Sequence, residues 1–175
     1  MIRQAVKSLM LPKNAYKSKN VLVTGGATGI GLTLAQSYAA LGANVLICSR
    51  NEERLQAAAS THDNISYRIL DVRDLKGVAD MAAELTEKKE LPDVIINNAA
   101  GNFICPTEKL THNGWNSVLD IVLKGTFSVT HEFGKSLIRE KKPAVFLNIS
   151  TTYAETGSSH VVPSSMAKSA CNNLT

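Results

Sequence analysis

Asn20-Val-Leu-Val-Thr24-Gly25-Gly26-Ala27-Thr28-Gly29-Ile30-Gly31, running on into the alanine-rich stretch Leu32-Thr-Leu-Ala-Gln-Ser-Tyr-Ala-Ala-Leu-Gly42, decides the fold. It reads as a strand, a glycine-rich turn and a helix in that order, which is what a pyrophosphate site requires. Gly25 makes the tight turn, Gly29 lets backbone approach a phosphate, and Gly31 lets helix and strand pack closely, while the helix N-terminus offers free N–H groups and a positive dipole. A glycine-rich turn alone is weak evidence, because many loops need positive φ. The strand before this one and the helix after it make nucleotide binding the preferred reading.

The next strand, Asn44-Val-Leu-Ile-Cys-Ser-Arg50, ends in Ser49 and Arg50 rather than in an acid. A carboxylate there would accept bonds from a ribose 2′-hydroxyl, whereas an arginine complements a 2′-phosphate, so the strand end favours NADP over NAD. The plainer reading is that Arg50 opens a polar loop, Arg50-Asn-Glu-Glu-Arg-Leu55.

Outward from these two strands the chain keeps alternating. Ile65 to Leu70 reads as a strand, Asp74 to about Lys88 as a helix, Asp93 to Asn97 as a strand, Asn113 to Arg139 as a long helix, and Ala144 to Ser150 as a strand. In the long helix Trp115, Val118, Leu119, Val122, Thr126, Val129, Phe133 and Leu137 recur at helical spacing and mark a buried stripe. Short apolar strands alternating with amphipathic helices imply an α/β, Rossmann-like, doubly wound parallel sheet, with expected strand order 3-2-1-4-5. The site belongs beyond the carboxyl ends of the strands, where the order reverses.

Composition sets the bounds. At 175 residues the chain reads as a basic N-terminal arm, 1–19, and one domain, 20–175, able to bury a core. No apolar run approaches the roughly 20 residues of a membrane span. Residues 1–51 hold six Lys and Arg and no acid, so they carry +6 and the remainder −2 of the net +4. This start, with Ile2, Val6, Leu9 and Met10, reads as part of a mitochondrial targeting segment or as a plain basic arm; peroxisome and cytoplasm are the other compartments considered. The basic residues are not interleaved with aromatics, which argues against a nucleic-acid partner. Cys48, Cys105 and Cys171 lack any ligand spacing, so no metal site is expected and a reducing compartment fits.

The strand ends carry Asp71-Val-Arg73, Asn97-Asn-Ala-Ala-Gly-Asn102-Phe103 and Ser150-Thr-Thr-Tyr153. Together with Thr24-GGATGIG and Lys168 they resemble the short-chain dehydrogenase/reductase family, and nearly the whole chain is covered by the resemblance. Most members place a tyrosine four residues before the lysine and an asparagine inside the long helix; here those places hold Ser164 and Val122. The runs Ile96-NNAAGNFICPTEKL, Leu119-DIVLKGT and Thr152-YAETGSSHVVPSSMAKSA are similar to the mitochondrial type of 2,4-dienoyl-CoA reductase, which also has a serine before the lysine. That resemblance implies Tyr153 as the catalytic tyrosine, Asn102 as its partner on the substrate carbonyl, Ser164 as a supporting hydroxyl and Lys168 as the cofactor-ribose ligand. It also assigns Gly25, Gly26, Ala27, Thr28, Gly29, Ile30, Arg50 and Asp71 to NADPH, and Arg73, Phe103 and Thr111 to a fatty acyl-CoA substrate. For Arg73 a surface ion pair, and for Phe103 a core position, are the plainer readings.

The expected reaction belongs to β-oxidation of unsaturated fatty acids. Hydride reaches the far carbon of a dienoyl thioester, charge develops on the thioester oxygen, and Tyr153 and Asn102 supply preplaced donors to that oxygen. Water then protonates carbon, and the resemblance implies a trans-3-enoyl-CoA product. A 3-oxoacyl reductase is disfavoured, because the Ser164 hydroxyl is far less acidic than a phenol. The family pattern continues past Thr175 with further strands and a segment over the acyl group. The chain is therefore expected to stop some two turns into the helix after Pro163, to expose a sheet edge, and to turn over weakly or bind nucleotide silently. The full-length form is expected to be a homo-oligomer.

Overall fold

The computed structural model describes residues 11–175. Ile2, Val6, Leu9 and Met10 of the expected targeting segment lie outside the described residues. Five parallel strands, β1 (Asn20–Thr24), β2 (Asn44–Ser49), β3 (Ile65–Ile69), β4 (Val94–Asn97) and β5 (Val145–Asn148), form one sheet in the order β3-β2-β1-β4-β5. The doubly wound order inferred from the sequence is thus the observed one. Val23 of β1 lies opposite Ile47 on one side and Ile96 on the other, all three fully buried. Central strands covered on both faces read as unbroken apolar runs for this reason.

Helices α1 (Gly29–Ala40) and α2 (Glu52–Ala59) cover one face, where Ala35, Ala39 and Leu55 pack on Val21, Val45 and Ile65. The other face is covered by α3 (Leu75–Glu87) and α5 (Gly125–Arg139), whose Met81, Leu85, Val129 and Phe133 meet Leu22 and Ile95. Helix α2 corrects the reading of Arg50–Leu55 as a polar loop. Asn51 Oδ1 accepts from Arg54 N at 2.8 Å, Glu52 and Glu53 face the positive end of the helix, and Leu55 is fully buried.

The long helix is likewise not continuous. It consists of α4 (His112–Leu119), a π-helical turn (Asp120–Lys124) and α5, with Val118, Val122, Thr126, Val129, Phe133 and Leu137 all buried along it. A short helix α6 (Tyr153–Thr156) precedes α7 (Val162–Leu174). The latter has 13 residues, so it runs about 3.6 turns rather than the two expected. The described end of the basic arm is tied to the domain: Tyr16 N donates to Leu41 O at 3.0 Å, and the Tyr16 ring meets Tyr38 edge-on with centroids 4.8 Å apart. No helix among the described residues is long and apolar enough to cross a membrane.

Candidate active site

A cleft of about 920 Å³ opens at the carboxyl ends of the strands, between the turn after β1 and the loops after β2 to β5. Its floor is the glycine turn. Gly25 adopts φ +66°, and a Cβ there would sit 3.0 Å from the Ala99 Cα; a Cβ on Gly31 would run into the Gly25 carbonyl oxygen. These two glycines therefore do what their spacing implies, one turning the chain and one letting α1 pack down on the turn. Gly26 has a different purpose. Its missing side chain makes room for Ile47, whose Cγ2 would lie 2.6 Å from a Cβ, so it is a packing position beneath the cradle. Gly29, φ +55°, has no protein atom near its Cβ position, which leaves bare backbone at the start of α1. Ala27, Thr28 and Ile30 border the cleft directly.

The turn is fixed by a pair of residues that sequence reading passed over. The Thr24 hydroxyl, buried, accepts from Asn98 N and Ala99 N, each at 3.0 Å, and donates to Ile96 O at 3.3 Å. The Asn98 amide donates to Thr24 O at 2.9 Å and Gly25 O at 3.2 Å. Loop β4 thus clamps loop β1 through polar groups whose neighbours in sequence gave no sign of the partnership. Below it, Asn97 Nδ2 donates to Thr130 Oγ1 at 3.0 Å and to Asn148 Oδ1 at 2.9 Å, joining β4 to α5 and β5.

A nicotinamide dinucleotide fits this frame. At the end of β2 the Ser49 hydroxyl is shielded from solvent and has no hydrogen-bond partner among the described residues, and Ser49, Arg50 and Arg54 all border the cleft. A strand-end serine and two arginines on the same cleft wall are suited to a phosphate ester. Arg54 was missed because α2 was read as a loop; as the third residue of a helix capped by Asn51, it is turned back toward the strand end. Asp71 borders the cleft too, but its carboxylate is engaged by Arg73, Nε to both oxygens at 3.0 Å and Nη2 to Oδ2 at 2.6 Å. That guanidinium holds the Asp71 carboxyl below its ordinary range. For Arg73 the plainer reading, an ion pair, is the observed one.

On the opposite wall stand Tyr153, Ser164 and Lys168, with Asn102 at the rim. The Tyr153 hydroxyl lies 3.3 Å from Ser164 Oγ, and the Lys168 ammonium donates to Ile149 O, so the three side chains converge although they stand on two helices. Lys168 is buried, and loss of hydration pushes its pKa below the ordinary lysine value against the opposing influence of Cys171 and Tyr153. Ser150 borders the cleft and donates to Asn172 Oδ1 at 2.7 Å. Val122 has no side-chain donor to offer; its carbonyl accepts from Cys171 Sγ at 3.5 Å.

Of the three substrate-side residues, none borders the cleft itself. Phe103 is 41% exposed rather than in the core, and a Cβ on Gly114 would lie 2.9 Å from its ring. Thr111 caps α4, its hydroxyl accepting from Gly114 N at 3.1 Å. The loop that carries Phe103 is held to the loop after β5 by Cys105 N donating to His160 O and Thr107 Oγ1 to Ser159 O, both at 2.8 Å.

The short chain dehydrogenase family model matches residues 19–175. A probable (3E)-enoyl-CoA-producing 2,4-dienoyl-CoA reductase of Caenorhabditis elegans is 40% identical over 97% of this chain and 57% of its own length. A probable (2E)-enoyl-CoA-producing 2,4-dienoyl-CoA reductase of Bacillus subtilis is 39% identical over 91% of this chain and 64% of its own. The chain thus spans less than two thirds of the length of these two relatives. A crystal structure of a short chain dehydrogenase from Bacillus anthracis superposes with a TM-score of 0.86 at 38% identity, over 90% of this chain and 67% of that one.

Proposed function

The chain belongs to the short-chain dehydrogenase family, and on that premise we propose that its cleft serves an NADPH-dependent 2,4-dienoyl-CoA reductase of unsaturated fatty acid β-oxidation. The observation that carries this reading is the convergence of Tyr153, Ser164 and Lys168, with the tyrosine and the lysine on different helices. It is supported by the two dienoyl-CoA reductase relatives near 40% identity.

The glycine turn and the start of α1 would hold the pyrophosphate, Ser49, Arg50 and Arg54 the 2′-phosphate, and Lys168 the ribose hydroxyls. The cofactor supplies hydride. The protein's own task is the thioester oxygen, where charge develops as the far carbon is reduced. Tyr153 O–H and the Asn102 amide donate to that oxygen, and Ser164 holds the phenol in place. Preplaced donors lower the barrier because they need no reorganisation as charge appears; removing one costs on the order of 2.7 to 4 kcal/mol in comparable oxyanion sites. No strong acid is required beside the carbon that receives hydride, which accounts for Ser164 where a ketone reductase needs a phenol. The dienolate then takes a proton on carbon from water, giving the trans-3-enoyl product.

The test is NADPH oxidation by purified protein with a 2,4-dienoyl-CoA and, separately, a 3-oxoacyl-CoA, with the product double bond located by NMR. Turnover is expected with the dienoyl substrate and none in Tyr153→Phe. Equal rates in wild type and Tyr153→Phe, or preference for the 3-oxoacyl substrate, would sink the proposal. The exposure of Asn102 and Phe103 favours one competing reading, a chain that binds nucleotide without turnover; NADPH binding with no dienoyl-dependent oxidation is its signature.

A further inference from the structure

We infer that Ser165 is a positioning residue, the tie that sets Tyr153 against Ser164 and Lys168. Where tyrosine and lysine share one helix four residues apart, the helix alone fixes their separation. Here Tyr153 opens the four-residue helix α6 and Lys168 lies in α7, with Gly157 at φ +76° between them. Their alignment must come from a contact between the two helices. Ser165 Oγ supplies it, donating to the Tyr153 carbonyl oxygen at 2.6 Å. The same oxygen accepts from Gly157 N at 3.0 Å, so both of its lone pairs are used and the tyrosine backbone is fixed from two sides.

Consecutive serines of α7 therefore grip the two ends of one residue. Ser164 meets the phenol and Ser165 the backbone. Ser165 is 7% exposed and does not border the cleft, so it acts on the reacting atoms only through Tyr153. Without its hydroxyl the Gly157 contact remains, but no other hydrogen bond among the described residues joins the Tyr153 backbone to α7. A short helix that has lost its backbone tie to α7 then lets the phenol drift from Ser164, and displacements on the order of 1 Å carry losses on the order of 100-fold in rate.

The inference builds on the reading of Tyr153 as the substrate donor, but its test reads the tyrosine without substrate. The four tyrosines are labelled with carbon-13 at Cζ, and the Tyr153 line is assigned by its loss in Tyr153→Phe. Ser165→Ala is expected to shift the Tyr153 line at least as far as Ser164→Ala does, with the Tyr16, Tyr38 and Tyr67 lines in place as proof of fold. Ser165→Thr, which keeps the hydroxyl, is expected to restore it. A Tyr153 line unmoved in Ser165→Ala overturns the inference. If the alanine variant unfolds, Ser165→Cys decides: a weak thiol donor must shift the line, and an unshifted line overturns it equally. Failure of dienoyl-CoA turnover leaves this spectrum unaffected, so the two readings fail separately.

Discussion

Lys168 is the residue at which burial and chemistry pull against each other. Its ammonium is removed from most of its hydration, keeps one carbonyl partner at Ile149, and has its pKa pushed below the ordinary value near 10.4. Between the folded and unfolded values the unfolded chain binds more protons, so folding stability rises with pH across that window and the cost of burying the charge is felt in full below it. Comparison of wild type with Lys168→Met by urea unfolding at about pH 7 and about pH 10 should show the difference moving in favour of wild type at the higher pH. A difference that is flat with pH would mean the lysine is hydrated in solution. Tyr153, Ser164 and Lys168 were legible in the sequence because the stretch that holds them is nearly contiguous. Ser165 was not, because its one decisive partner is a backbone carbonyl, and no side-chain pattern signals that.

At the scale of elements the clearest lesson is the π-helical turn. The buried positions Val118, Val122, Thr126, Val129, Phe133 and Leu137 advance by about 3.8 residues per step, more than the 3.6 of an α-helix. One extra residue within the Asp120–Lys124 turn restores the helical average, so the stripe stays on one face only because the helix bulges. The signal was present in the spacing, yet a stripe counted as matches to positions three and four apart hides the accumulated drift. The clamp between loops is the other element-scale device, and it was invisible locally because Thr24 and Asn98 are 74 residues apart. Thr24→Val keeps the shape and removes the hydroxyl, leaving the part-buried Ala99 N without its acceptor while Asn98 N keeps Ile96 O at 3.1 Å. One amide left without an acceptor, at about 1 to 3 kcal/mol, sets the predicted fall in unfolding free energy, read from the urea midpoint at constant m. A loss below about 0.5 kcal/mol would show that water replaces the hydroxyl.

Over the whole molecule the two edges of the cleft differ in finish. The β1–β2 side is closed by α1 and α2, while β5 is an edge strand with Val145 62% and Leu147 40% exposed on the same side. An exposed apolar edge is a template for pairing, so sedimentation velocity of the chain should show concentration-dependent association that weakens in Val145→Thr/Leu147→Thr. The proposed nucleotide site lies on the finished side, and binding to the folded state alone raises its stability by RT ln(1 + [L]/Kd), about 2.7 kcal/mol at a hundredfold excess over Kd. NADPH is therefore expected to raise the melting temperature more than NADH at equal concentration, because only the former presents a phosphate to Ser49, Arg50 and Arg54. Arg54→Ala should narrow that gap while leaving the NADH shift unchanged, since its guanidinium has no other part in the cradle. Equal shifts by the two nucleotides in wild type would refute the 2′-phosphate assignment. An Arg54→Ala variant that lowers both shifts alike would instead place the arginine on the adenosine or pyrophosphate common to the two nucleotides.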